Sequence, residues 1–118
     1  MKFILTSFII ISLFTGCASL TPHPKSWTSV EKKAAVFNVC GIIADAYTTE
    51  QMLNNPDNRE LMPTMSEHPS DSQLIVDFSL SAIITLGLAH YYPELRERLL
   101  FGYGGWSFGL AVHNQNVD

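Results

Sequence analysis

The sequence predicts an all-α protein: a small domain of three apolar helices behind an N-terminal leader. Three observations carry this. Two capping-box patterns, Thr28-Ser29-Val30-Glu31 and Ser70-Asp71-Ser72-Gln73, each open a long apolar run. A cluster of turn formers, Asn54-Asn55-Pro56-Asp57-Asn58, separates the two runs. With 118 residues, 47% hydrophobic and only 15% charged, the chain has room for one domain and too much apolar character for disorder.

The elements follow in order. Met1-Lys2 precedes an apolar run from Phe3 to Phe14, the layout of a secretory signal and too short for a comfortable transmembrane span of about 20 residues. The run ends in Phe14-Thr15-Gly16-Cys17-Ala18-Ser19, which resembles the lipobox of bacterial lipoproteins. That resemblance implies removal of residues 1–16 and lipid on the sulfur and nitrogen of Cys17. It also implies a cell-envelope address, with the periplasmic face of the outer membrane favoured by Ala18 and the inner membrane left open. More than one acyl chain at a single residue would make the anchoring stable. Residues 17–27, with Pro22 and Pro24, are expected to form an extended tether in which His23 is solvated. With Cys17 acylated, Cys40 has no intramolecular partner and is expected to behave as a small hydrophobe.

The helical domain covers 28–118. Its first helix is expected over about 29–53, capped by Thr28 and stopped by the Asn-Pro-Asp cluster. The second is expected over about 71–92. The third, over about 94–113, has Pro93 in its first turn. Gly102, Gly104, Gly105 and Gly109 weaken this last helix unless another packs closely on it; Gly105-x-x-x-Gly109 has the spacing that permits this. A glycine-broken loop or strand pair is the alternative there.

Each helix carries a narrow polar or small stripe. Asn38, Gly41, Asp45 and Thr48 share one face of the first, Asp77, Ser81 and Thr85 one face of the second, and Gly105, Gly109 and His113 one face of the third. The simplest expectation is that the stripes face water. If they turn inward, they form a buried polar cluster of Asn38, Asp45, Thr49, Asp77, Ser81, His113 and Asn114. Asp45, Glu60, Asp77, His68, His90 and His113 also have the chemistry of metal ligands or an acid–base pair, but in no recognised ligand spacing. No metal or cofactor beyond the covalent lipid, and no catalytic residue, is therefore assigned.

Trp27, Asp45 with Thr48-Thr49, Glu60-x-x-Pro63 and His68-Pro69-Ser70 resemble the pattern of an uncharacterised family of small bacterial and phage lipoproteins. Asp77-Phe78, His90 before Pro93, Arg96 and Asn114 continue the correspondence, while Met62 and Ser66 stand where the family carries Asn and Gly. The resemblance implies an architecture and an envelope location, and no reaction.

Seven Lys and Arg against eleven Asp and Glu leave no basic surface for nucleic acid. No nucleotide-binding glycine loop, nucleophile elbow or zinc-protease helix occurs. The leading expectation is a membrane-anchored, non-enzymatic accessory or interaction module, with membrane lipid and an envelope protein as partners. Its contact loop would hold Glu60, Pro63, His68, Pro69 and Ser70. The alternatives are a membrane-surface metal-binding or hydrolytic protein using Asp45, Glu60, Asp77 and histidines, and a phage lysis or superinfection-exclusion lipoprotein. Lys25, Lys32 and Lys33 on the lipidated side would invert the positive-inside preference, which favours a tethered bundle over inserted helices. The hydrophobicity of the helices keeps insertion open.

Overall fold

In the computed structural model, which describes residues 21–60, 65–66 and 68–117, the fold is all-α with no strand among those residues. Helix α1 spans Ser29–Leu53, α2 spans Asp71–Tyr91, and α3 spans Arg96–Gln115 after a single 3-10 turn at Pro93–Leu95. The leader, Cys17 and the loop residue Pro63 lie outside the described residues.

The helix boundaries have local causes. At the start of α1 the Thr28 hydroxyl accepts from the Glu31 backbone N–H, and the Glu31 carboxylate accepts from that of Thr28, a complete capping box. At its end the Asn58 side-chain amide donates to the Met52 carbonyl, and the Asn55 side chain accepts from the Asp57 N–H. Ser70 caps α2 through the Gln73 N–H, but the Gln73 side chain is turned to the Ser66 hydroxyl. Pro93 lies in the 3-10 turn ahead of α3, so the third helix opens later than the sequence suggests and runs unbroken through all four glycines.

Helices α1 and α3 run parallel and form the closest pair. Both the start and the end of α3 bond to the matching ends of α1, whereas α2, which connects them in the chain, runs antiparallel to both. The two backbones nearly touch at Gly41 and Gly104. A methyl group on Gly41 would stand 2.5 Å from the Gly104 carbonyl oxygen, and one on Gly104 would stand 2.8 Å from the Asn38 Cα. This corrects the expected register: Gly105 and Gly109 are exposed with open space around them. The inward face of α3 is Leu100, Gly104, Ser107 and Ala111, one residue out of phase with the expected stripe.

The apolar core is small and divided. Ala34, Ala89 and Leu100 form one cluster at the start of α1, flanked by Trp27 and Leu86. Ile42, Leu74 and Phe78 form the other, flanked by Tyr103 and Met65. Interleaved with them are buried Asn38, Asp45, Thr48, Thr49, Thr85, Arg96 and Ser107. The outside of the bundle carries the large side chains, among them Ile43, Ile75, Ile83 and Val112, each 60% exposed or more.

The Gly41–Gly104 contact makes a sharp prediction. Gly104→Ala should lower stability by about 1–3 kcal/mol through overpacking against Asn38. Gly105→Ala and Gly109→Ala should raise it by up to about 1 kcal/mol each through helix propensity. Thermal unfolding followed by circular dichroism separates the three.

Candidate functional site

The polar stripe of α1 points into the bundle. Asn38 is 0% and Asp45 4% exposed, so the expectation that this stripe faces water does not hold. Two polar groupings follow from this stripe, one at Asp45 and one at Asn38, and Arg96 makes a third at the start of the α1–α3 pair.

The centre toward the ends of α1 and α3 is built on Asp45, Thr48, Thr49 and Asn114. The Asn114 side-chain nitrogen faces three acceptors: Thr49 Oγ1 at 3.0 Å, Thr48 Oγ1 at 3.3 Å and Asp45 Oδ1 at 3.3 Å. Thr49 also donates to Asp45 Oδ1, and Thr48 donates to the Ala44 carbonyl one turn back. One amide thus ties α3 to a full turn of α1. Half-buried Glu60 stands near enough for its charge to act against that of Asp45. Beside this cluster a cavity of about 280 Å³ opens among Thr48, Gln51, Asn55, Asn58 and Asn114.

Midway along the bundle, the Asn38 amide donates to Thr85 Oγ1 at 2.9 Å, linking α1 to α2. Thr85 and Ser81 each donate back to the carbonyl four residues earlier. Two buried oxygens, Asn38 Oδ1 and Asp77 Oδ2, have no hydrogen-bond partner among the described residues.

The opposite centre is Arg96, only 1% exposed. Its Nε donates to the Ala89 carbonyl at 2.6 Å. Its Nη1 donates to the Ser26 carbonyl and the Glu31 carboxylate, and its Nη2 to the Lys25 and His90 carbonyls. The Trp27 ring lies 4.6 Å from the guanidinium carbon. His23 adds a backbone bond to the Tyr91 carbonyl and a 2.6 Å contact from Nε2 to Glu94. Residues 23–28 are therefore strapped across the α2–α3 turn, and His23 is half-exposed and paired with Glu94 rather than fully solvated. The Thr28 N–H, helped by Arg96 and opposed by partial desolvation, holds the Glu31 carboxyl below its ordinary range. Glu94 is lowered too, first by its own backbone N–H and then by His23.

Of the expected cluster, Asn38, Asp45, Thr49 and Asn114 are joined to neighbouring helices or to one another. Ser81 is half-buried and bonded to the Asp77 carbonyl. His113 is exposed and off the inward face, and so takes no part. Of the expected contact loop, His68 and Ser70 are exposed, Pro69 is half-buried, and Ser70 is occupied in capping α2. Arg96 and Gly104 are the residues that periodicity missed; the signals for them were a Trp27–Arg96 pair in the family-like pattern and a glycine opposite Gly41. Among the described residues no three His, Cys, Asp or Glu side chains converge as a metal-ligating group. No family model, curated protein or solved structure matches the chain.

If the Asn114 amide holds the end of the bundle, Asn114→Ala should cost about 1–3 kcal/mol, because Thr and Asp acceptors are left buried. The exposed control Asp57→Asn should shift stability by less than about 0.5 kcal/mol. Equal unfolding midpoints would show that the cluster is energetically idle.

Glu31 also sets a pH dependence. Its carboxyl is lowered from 4.5 in the fold, so its stabilising effect is complete above that value and is lost as the pH falls through the lower folded value. The Glu31 contribution should appear as a fall in unfolding midpoint as the pH drops below 4.5. Glu31→Gln should flatten that fall.

Proposed function

We propose that this chain is a membrane-held, non-enzymatic accessory module of a bacterial-type cell envelope, acting through contacts with lipid and an envelope protein. The observation that carries the reading is how its polar side chains are used. Asn38, Thr48, Asp45 and Asn114 bind one another or Thr85 and Thr49 across helix boundaries, and Arg96 binds the strap and the helix ends. Asp45 and Arg96, two of the groups with the chemistry for a reaction, are engaged in holding the three helices together.

The leader pattern ending in Thr15-Gly16-Cys17 supports attachment through lipid on Cys17. The polar cavity bordered by Asn55, Asn58 and Asn114, with the Ser66–Ser70 stretch nearby in sequence, is the surface best suited to a partner's polar groups.

Mass spectrometry of the membrane-extracted protein tests the anchoring. The expected product begins at Cys17 and carries added acyl mass, and Cys17→Ala should leave an unprocessed precursor. An unmodified start at any other residue would overturn the lipid attachment.

A further inference from the structure

The bundle is inverted relative to a water-soluble protein of its size. Many of its interior contacts are small or polar, Gly41 on Gly104, Asn38 on Thr85 and Asn114 on Asp45, beside two small apolar clusters. Its exterior is apolar on all three helices. Val36, Phe37 and Ile43 face out from α1, Ile75, Leu80 and Ile83 from α2, and Phe101, Trp106 and Val112 from α3. Close backbone approach at small residues and hydrogen bonds between helices are how helices associate where the surroundings are as apolar as leucine.

Charge marks where those surroundings end. On one end of the bundle stand Lys25, Lys32, Lys33, Glu94, Glu97 and Arg98, all exposed. On the other stand Glu50, Asp57, Arg59 and Asp71. Between them, over 34–49, 72–89 and 99–112, no described Asp, Glu, Lys, Arg or His is exposed. At 1.5 Å per residue those stretches are about 24, 27 and 21 Å long. A hydrocarbon core is about 30 Å thick and several ångströms less in thin membranes, and long basic side chains at the rim make up the difference. Trp27, Tyr91 and Tyr92 lie at the basic rim, the depth that amphipathic rings prefer. Helix α2 by itself is long and apolar enough to cross a membrane, and only 22% of its most apolar stretch is buried in the bundle. Between α1 and α2 lies an apolar groove of about 550 Å³, walled by Ile43, Ala46, Ile75 and Phe78.

A protein partner covers one side of a bundle; a belt closed around three helices is covered by acyl chains. We propose that the helical domain is embedded in the bilayer, with residues 34–49, 72–89 and 99–112 at hydrocarbon depth. The proposal rests on the membrane-held reading above and goes beyond anchoring by Cys17. With Cys17 lipidated, Lys25, Lys32 and Lys33 stand on the anchored side, the orientation that the positive-inside preference disfavours; the uncharged belt around all three helices outweighs that preference, which ranks two orientations of an inserted bundle.

Cys40 provides the test without any change to the fold. It is exposed in the middle of α1, between Phe37 and Ile43. In membranes containing the full-length chain, a water-soluble maleimide should label Cys40 at least ~10-fold more slowly than an Asn55→Cys control, since the reactive thiolate needs water. The signal absent from Cys40→Ser identifies the site. In vesicles of phosphatidylcholine brominated along the acyl chain, tryptophan quenching should be strong, and Trp106→Phe should remove most of it. Rapid Cys40 labelling and an unquenched Trp106, in protein that still sediments with membranes, would overturn embedding and leave the anchored reading intact. A chain that purifies from the aqueous fraction without detergent, with Cys40 protected inside an oligomer, would overturn both.

Discussion

A buried guanidinium organises one end of this protein. Arg96 cannot shed its charge, so its place in the interior demands acceptors for five N–H groups, and it finds five. Four are backbone carbonyls, from the end of α2 and from the strap that leads into α1. The fifth is the carboxylate that caps α1, so a single side chain fixes the entry of one helix, the exit of another and its own helix start. Removing such a partner set leaves an uncompensated charge, which is why buried ion pairs are strongly destabilising when broken even though their net worth is modest when intact. The geometry at the far end follows: with the starts of α1 and α3 locked together and their backbones touching at Gly41 and Gly104, Asn114 arrives beside Thr48 and Thr49.

The same packing explains the division of the core. Where α1 and α3 approach through glycine there is little room for large side chains, so Leu100 and Ile42 are buried to either side of the crossing and most other large apolar side chains lie outside. What remains inside is held by directional bonds. Asn38 illustrates the cost. Its amide serves Thr85, but its Oδ1 has no partner among the described residues, and the close backbone of Gly104 lies against its own Cα. Hydrogen bonds of this kind specify which helix faces meet, a role that burial of apolar area alone performs poorly when the exterior is equally apolar.

Much of this was legible in the sequence, for reasons that are local. Thr28 with Glu31, the Asn54–Asn58 cluster and Ser70 mark helix boundaries through groups that act within a turn, and the boundaries fall there. The Asn38–Gly41–Asp45–Thr48 stripe was also visible, but its direction was not. A polar stripe on an apolar helix can satisfy its groups with water or with a neighbouring helix, and spacing does not distinguish the two. The phase of α3 was harder still. Gly102, Gly104, Gly105 and Gly109 offer overlapping small faces, and only the partner Gly41 selects the one containing Gly104. Arg96 stood among Glu94, Glu97 and Arg98, where charge density suggests a solvated helix start; its burial comes from Trp27 and the strap, tertiary contacts that sequence spacing does not encode.

The reach of these contacts has a consequence for biosynthesis. Lys25 and Arg96 are 71 positions apart, and Asp45 and Asn114 are 69. Neither end of the bundle can close until α3 has been made, and loop closure over such distances must precede any reward from the bonds it brings together. During elongation α1 would therefore wait with Asn38 lacking Thr85 until α2 follows and Asp45 lacking Asn114 until α3 follows, with Phe37 and Ile43 bare. A nascent chain in that condition needs shelter from its neighbours, whether from a chaperone, an export channel or lipid, until its last helix arrives.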